Sequence, residues 1–129
     1  MVRTESRIEA PRSARRGEPS WIAGVAWAGI RGIAAVEVSL DGGHRWRPAR
    51  LHRPLSPWAW TPWALRWVPR RSGRQAVLCR AVDAAGTVQD SRRAEPPLPS
   101  GASGYHRIEI PIARSSIAVH TPPARGLRT

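Results

Sequence analysis

The feature that most limits what this chain can become is the run Val36-Glu37-Val38-Ser39-Leu40-Asp41-Gly42-Gly43. Val36, Val38 and Leu40 alternate with Glu37, Ser39 and Asp41, so one face is apolar and the other polar. Period two over this length is the pattern of a half-buried strand. Asp41-Gly42-Gly43 then supplies residues that tolerate positive φ, as a tight hairpin turn requires. The run therefore predicts a central hairpin: strand Ile33 to Leu40, turn Asp41 to His44, return strand Arg45 to Leu51.

The rest of the chain can be placed around that hairpin. Arg7 to Pro11 reads as a short edge strand, because Pro11 cannot donate to a ladder. Arg12 to Pro19 reads as a loop. Trp21 to Ala28 is a second strand, with Ala23, Val25 and Trp27 on one face, and Gly29 to Gly32 is the loop into the hairpin. Trp58 to Val68 is a tryptophan-dense strand pair or bent strand, interrupted at Pro62. Gln75 to Asp83 is a strand with Val77, Cys79 and Ala81 inward and Arg80 outward, since an unpaired Arg is not buried. Ala84 to Gly86 turns the chain and Thr87 to Gln89 is a short strand. Ser91 to Ser103 is an extended loop. Tyr105 to Ile112 is the last strand, with an apolar face of Ile108, Ile110 and Ile112 and an edge position suggested by Pro111. About seven short strands with regular turn signals and no helix pattern predict an all-β antiparallel sandwich. The reading gives one domain at 6–113, a disordered lead-in at 1–5 and a disordered tail at 114–129.

Composition narrows the chemistry. The chain has 129 residues, room for one domain. Phe is absent and Trp occurs seven times, so the aromatic volume is almost wholly indole, which needs a partner for its N–H. The net charge is +12 and all 21 basic residues are Arg. Those arginines are scattered, and the densest groups fall in predicted loops, so the charge reads as a surface distribution and not as a nucleic-acid footprint. Arg also suits protein interfaces. A single Cys excludes an intramolecular disulfide and a Cys metal cluster. No run of 18 apolar residues exists, and the N-terminus lacks an apolar signal region, so the chain reads as soluble and without an address.

Four blocks carry a resemblance, in order: AWAGIRGIAAVEVSLDGGHRW, WAWTPWAL, LCRAVDAAGTVQD and GYHRIEI. Together they resemble the C-terminal dimerisation domain of the sulfite oxidase family of molybdenum enzymes. The resemblance implies an immunoglobulin-like (E-set type) sandwich. It implies a structural role, in which the domain packs on a catalytic domain and pairs subunits as a homodimer. It implies molybdopterin-molybdenum in that catalytic domain, with oxygen-atom transfer as its reaction. No counterpart of the catalytic domain is present here, so the chain is expected to hold no cofactor and to be a truncated, split or fragment chain without activity alone.

The candidate site residues are few. Arg31, in the loop Gly29 to Gly32, corresponds by resemblance to a basic residue that lines the neighbouring domain's oxyanion pocket. The competing expectation for it is a solvated loop residue. Trp58, Trp60 and Trp63 are candidate interface residues, the bland role for tryptophans in a strand being core filling. Cys79 reads as a buried small hydrophobe. The four histidines show no metal spacing. Asp41, Asp83 and Asp90 sit beside turn residues and read as turn caps. No catalytic residue, metal ligand or cofactor ligand is expected. The rival reading is a free-standing immunoglobulin-like module that uses the Trp cluster and the Arg-rich surface to hold a glycan or nucleic acid.

Overall fold

The computed structural model of the chain describes residues 4–29, 31–54, 56, 59–89 and 105–114. The described residues form strands and connections without a helix. In order they are β1 (Glu5–Ala10), β2 (Ala14–Arg15), β3 (Ser20–Trp27), β4 (Ile33–Ser39), β5 (Arg47–Pro48), β6 (Arg50–Leu51), β7 (Thr61–Trp67), β8 (Gly73–Asp83) and β9 (His106–Ala113). One sheet has the order β1-β3-β7-β6 and the other β2-β9-β8-β4-β5. The two pack face to face as a sandwich. The strands number nine: β2 lies within the predicted Arg12 to Pro19 loop, and the predicted return strand splits into the two-residue β5 and β6.

The core follows from alternation. In β8, Val77, Cys79 and Ala81 point inward and are fully buried. Val36 and Val38 of β4 face them, and Ile110 and Ile112 of β9 continue the layer. The first sheet answers with Ile8, Ile22, Ala26, Trp63, Leu65 and Trp67. Trp63 is the largest of these, 1% exposed. Truncating an aromatic of that size in a core costs about 3–5 kcal/mol. Gly24 lies directly under the indole, since a Cβ there would come within 2.7 Å of Trp63 Cζ2 and would overlap the carbonyl oxygen of Arg7. Glycine therefore sets the closeness of β1, β3 and β7.

Several expectations are corrected. The hairpin exists, but its return arm is short. Only Arg47 and Pro48 pair with β4, opposite Val38 and Glu37. Arg50 and Leu51 cross over to pair with β7 in the other sheet. The connection is a seven-residue loop, 40–46, held by its own polar groups and by Ser39 at the end of β4. Ser39 Oγ accepts from the Gly43 N–H, and Asp41 Oδ1 accepts from the N–H groups of His44 and Arg45. Gly42 and Gly43 adopt φ of 78° and 97°, which disfavours any residue with a Cβ. The Arg12 to Pro19 loop contains β2, which pairs in parallel with β9 and takes the edge that Pro111 suggested for β9. Pro62 does not interrupt β7. It sits opposite Val25, and its carbonyl accepts from the His52 N–H. Thr87 to Gln89 contributes a single bridge, Val88 to Val82. The predicted Ser91 to Ser103 loop lies outside the described residues, as does Asp90.

Candidate interaction surface

The outward faces of the two sheets differ in kind. Cross-strand partners share a face, so the pairing registers define each surface row by row. On the second sheet the outward residues mix charge with apolar side chains: Ala35 pairs with Val82, and Leu78 and Ala76 lie between Arg80 and Arg74. Arg80 Nε donates to Glu37 Oε1 at 2.8 Å, and its guanidinium lies 3.9 Å from the Trp46 ring. Arg74 and Arg107 both reach Glu109, at 3.7 and 3.0 Å. The charges on this face are largely matched within the chain.

The outward face of the first sheet is apolar through its middle. Ala23 of β3 pairs with Ala64 of β7, and Val25 pairs with Pro62. At one end Trp27 stacks on Trp60, ring centroids 5.9 Å apart. At the other end Trp21, 50% exposed, stands beside Arg66. Charge is confined to the rim. Arg7 lies over the Trp60 ring at 5.4 Å and is tied to Glu9 at 2.7 Å, while Arg50 lies beside Ala64. β3 is therefore apolar on both faces. In an antiparallel sheet one face is commonly solvated and polar, so a second apolar face is a candidate interaction surface.

The expected interface tryptophans divide. Trp60 is 38% exposed and belongs to the apolar face. Trp63 is core, which corrects its place among the interface candidates: β7 is extended, so odd and even positions face opposite ways. Trp58 lies outside the described residues. Trp21, Ala23, Val25, Pro62 and Ala64 complete the surface, and sequence reasoning did not name them as a site. The signal was present in the grouping of Ala23, Val25 and Trp27 on one strand face, which is the outward one; the core face is Ile22, Gly24, Ala26 and Ala28.

Arg31 is not a loosely solvated loop residue. Its Nη1 lies 3.2 Å from Asp83 Oδ2, its Nε donates to the Ala28 carbonyl, and its Nη2 reaches Thr4 Oγ1. Asp83 is almost fully buried, and its other carboxylate oxygen accepts from the N–H groups of Ala85 and Thr87. The pair clamps the β3–β4 loop, the turn after β8 and the start of β1 together. A cleft of about 480 Å³ opens beside this loop, lined in part by Trp27, Gly32, Leu51, His52 and Thr61.

The remaining polar groups are structural. The Cys79 thiol donates to Ser6 Oγ, which donates to Gln89 Oε1 at 2.6 Å. Burial pushes the Cys79 thiol up to about 12, against a smaller opposing effect of the Ser6 hydrogen bond. His106 Nδ1 accepts the Ile8 N–H at 2.8 Å, linking the edge of one sheet to the other. Burial, and then the nearby Arg7, lower its pKa. Asp41 is held below the usual carboxylate range, first by the Arg45 N–H and further by Ser39 and His44. Among the described residues no three His, Cys, Asp or Glu side chains are grouped to hold a metal, and a thiol with so high a pKa is a poor thiolate ligand. These residues do not fit a molybdenum centre. Nor does the described part contain a helix long and apolar enough to cross a membrane.

Comparison with known proteins agrees with the fold. The family model of the Mo-co oxidoreductase dimerisation domain matches residues 3–112. Sulfite oxidase of Gallus gallus is 38% identical over 93 residues, covering 66% of this chain and 20% of the relative. Mitochondrial sulfite oxidase of Homo sapiens is 34% identical over 119 residues, covering 84% of this chain and 22% of the relative. The chain thus spans about a fifth of the length of the curated relatives it matches. Among solved structures, the sulfane dehydrogenase SoxCD from Paracoccus pantotrophus superposes with a TM-score of 0.58 and 30% identity, over 80% of this chain and 27% of that chain. A CARDB domain from Pyrococcus furiosus, 14% identical with a TM-score of 0.53, covers 88% of this chain and 96% of that one and shares the fold alone. Nothing in these comparisons favours the glycan or nucleic-acid module. The two-sheet sandwich and these matches together place the chain in the sulfite oxidase family, as a Mo-co oxidoreductase dimerisation domain.

Proposed function

We propose that this chain works by association: it pairs with a second copy of itself and packs against a sulfite oxidase-like catalytic domain, with residues 6–113 as the working unit between 1–5 and 114–129. The observation that carries this reading is the outward face of β3 and β7, apolar where a solvated sheet face would be polar. Oxygen-atom transfer, and the molybdopterin-molybdenum that performs it, belong to the catalytic domain. This chain contributes shape and contacts. Arg31 acts within that role by fixing the β3–β4 loop through Asp83, so that the end of the sandwich meets the catalytic domain in a defined form.

The test is co-expression of the chain with a sulfite oxidase-like catalytic domain that lacks its own dimerisation domain. The expected result is one complex holding two copies of each. The chain alone is expected to sediment above its 14.2 kDa monomer mass. A chain that stays monomeric at several hundred micromolar and does not co-purify with the catalytic domain overturns the reading.

A further inference from the structure

We infer that the outward face of the first sheet is the seat of the second copy, the two related by a two-fold axis that runs parallel to the strands, between β3 and β7. The inference rests on the dimerisation reading and adds the surface, the axis and the residue pairing.

The strand order β1-β3-β7-β6 has its midline between β3 and β7. Rotation about an axis along that line exchanges β3 with β7, and β1 with β6, and leaves each row at its own height. Every cross-strand pair within one sheet then predicts a contact between copies. Trp21 pairs with Arg66 in the sheet, so each Trp21 meets the second copy's Arg66, a cation over an indole face. Ala23 meets Ala64 and Val25 meets Pro62, apolar on apolar. Trp27 meets Trp60, joining two stacked indole pairs. At the rim, Ala10 of β1 and Arg50 of β6 end the row that contains Ala23 and Ala64. Arg50 and Arg66 form no ion pair among the described residues. A two-fold contact has to be self-complementary, and the rows Ala23–Ala64 and Val25–Pro62 meet that demand in polarity.

The area agrees. The face from Trp21 to Trp27 is roughly 20 Å long, and four strands make it roughly 19 Å wide. With side-chain relief this removes about 1,000 Å² in total, near the lower limit of a specific interface. Isolated copies are therefore expected to exchange in the micromolar range. On the outward face of the second sheet the central strand carries Arg80, tied to Glu37, and Arg74 and Arg107 share Glu109, so charge interrupts its apolar residues.

The test uses the full chain and two surface variants, Ala23→Arg and Ala64→Glu, with Ala76→Arg on the second sheet as control, in sedimentation from low to high micromolar concentration. Each of the first two alone buries unpaired charge in the contact and is expected to weaken dimerisation at least about ten-fold. Mixed, they place Arg at position 23 over Glu at position 64, and the dimer is expected to return as a heterodimer. The Ala76→Arg control is expected to dimerise like the parent. Concentration-dependent protection of Trp21 and Trp60 from hydroxyl-radical labelling checks the same surface in the unmodified chain, should a variant fail to fold. A parent dimer that both single variants leave intact, or one without protection at Trp21 and Trp60, overturns the surface while leaving dimerisation standing. Variants that weaken the dimer but do not recover on mixing overturn the axis. A parent that is monomeric throughout overturns both.

Discussion

Replacing Gly24 by Ala is the sharpest test of how the first sheet is packed. Gly24 lies in β3 opposite Ile8, on the inward face under Trp63. On chain entropy alone the substitution would stabilise by about 0.4–1 kcal/mol, because Ala narrows the unfolded ensemble. Packing acts the other way. The new methyl would overlap the Arg7 carbonyl oxygen and lie 2.7 Å from Trp63 Cζ2. The first neighbour is backbone, in a paired strand, and cannot swing aside as a side-chain tip can. The second is an indole that is itself 1% exposed. Overpacking of a dense core costs typically about 1–3 kcal/mol, occasionally more. Overpacking wins, and the net loss is about 1–2 kcal/mol. At about 4 °C per kcal/mol for a domain of this size, the melting temperature should fall by roughly 4–8 °C. Circular dichroism melts of parent and variant measure this. Combining Gly24→Ala with Trp63→Phe, which withdraws one of the two clashing groups, should cost less than the two single losses added together. An unchanged or raised melting temperature for Gly24→Ala would refute the packing argument, because it would mean that β1 and β3 are free to separate.

Three further outcomes are expected. Arg31→Met keeps most of the stem and removes the charge opposite the buried Asp83; it should cost on the order of 2 kcal/mol in urea unfolding, and less if Asp83→Asn is made with it. Cys79 should resist thiol reagents at pH 8 in the folded chain and react fully in denaturant, since its folded pKa is raised to about 12; the matching share of stability is complete below the ordinary thiol pKa of about 8.5 and is lost as pH rises toward 12. His106 carries the opposite sign: its folded pKa is depressed, so its contribution is present above the ordinary imidazole pKa of about 6.5 and lost as pH falls through the lower folded value. Protonated Nδ1 cannot accept from Ile8, so amide exchange at Ile8 should accelerate on acidification, and His106→Gln should flatten that dependence.

The sandwich was legible because its determinants are local. Alternation in Ile33 to Leu40 and Gln75 to Asp83 fixed which residues face the core, and Val77, Cys79 and Ala81 lie where parity puts them. What escaped was pairing that depends on a distant strand. β2 and β6 are two residues long and exist only because β9 and β7 offer unpaired edges. The return arm from Arg45 was read as one strand because its sequence is continuous. In the fold the chain changes sheets between Pro48 and Arg50, and nothing in RPARL announces this. The Arg31 clamp was equally hidden, since its partner Asp83 lies 52 residues away and reads as a turn cap, a role it also fills.

The tryptophans were the ambiguous part, and strand parity resolves them. Along an extended β7, Trp63 and Trp67 share the odd, inward set with Thr61 and Leu65, while Trp60 belongs to the even, outward set with Pro62 and Ala64. Grouping Trp60 with Trp63 as one surface treats the cluster as a composition, when a strand divides it into two faces. The same parity in β3 puts Trp21, Ala23, Val25 and Trp27 together, and the register with β7 brings the two outward sets side by side. The surface is thus a product of two alternations and one register. This also explains why net charge says little about the partner. The outward arginines of the second sheet are neutralised beside carboxylates of the same sheet, and exposed pairs of that kind add little stability. Under the dimer reading, association through β3 and β7 would bury the apolar rows Ala23–Ala64 and Val25–Pro62, which no charge interrupts.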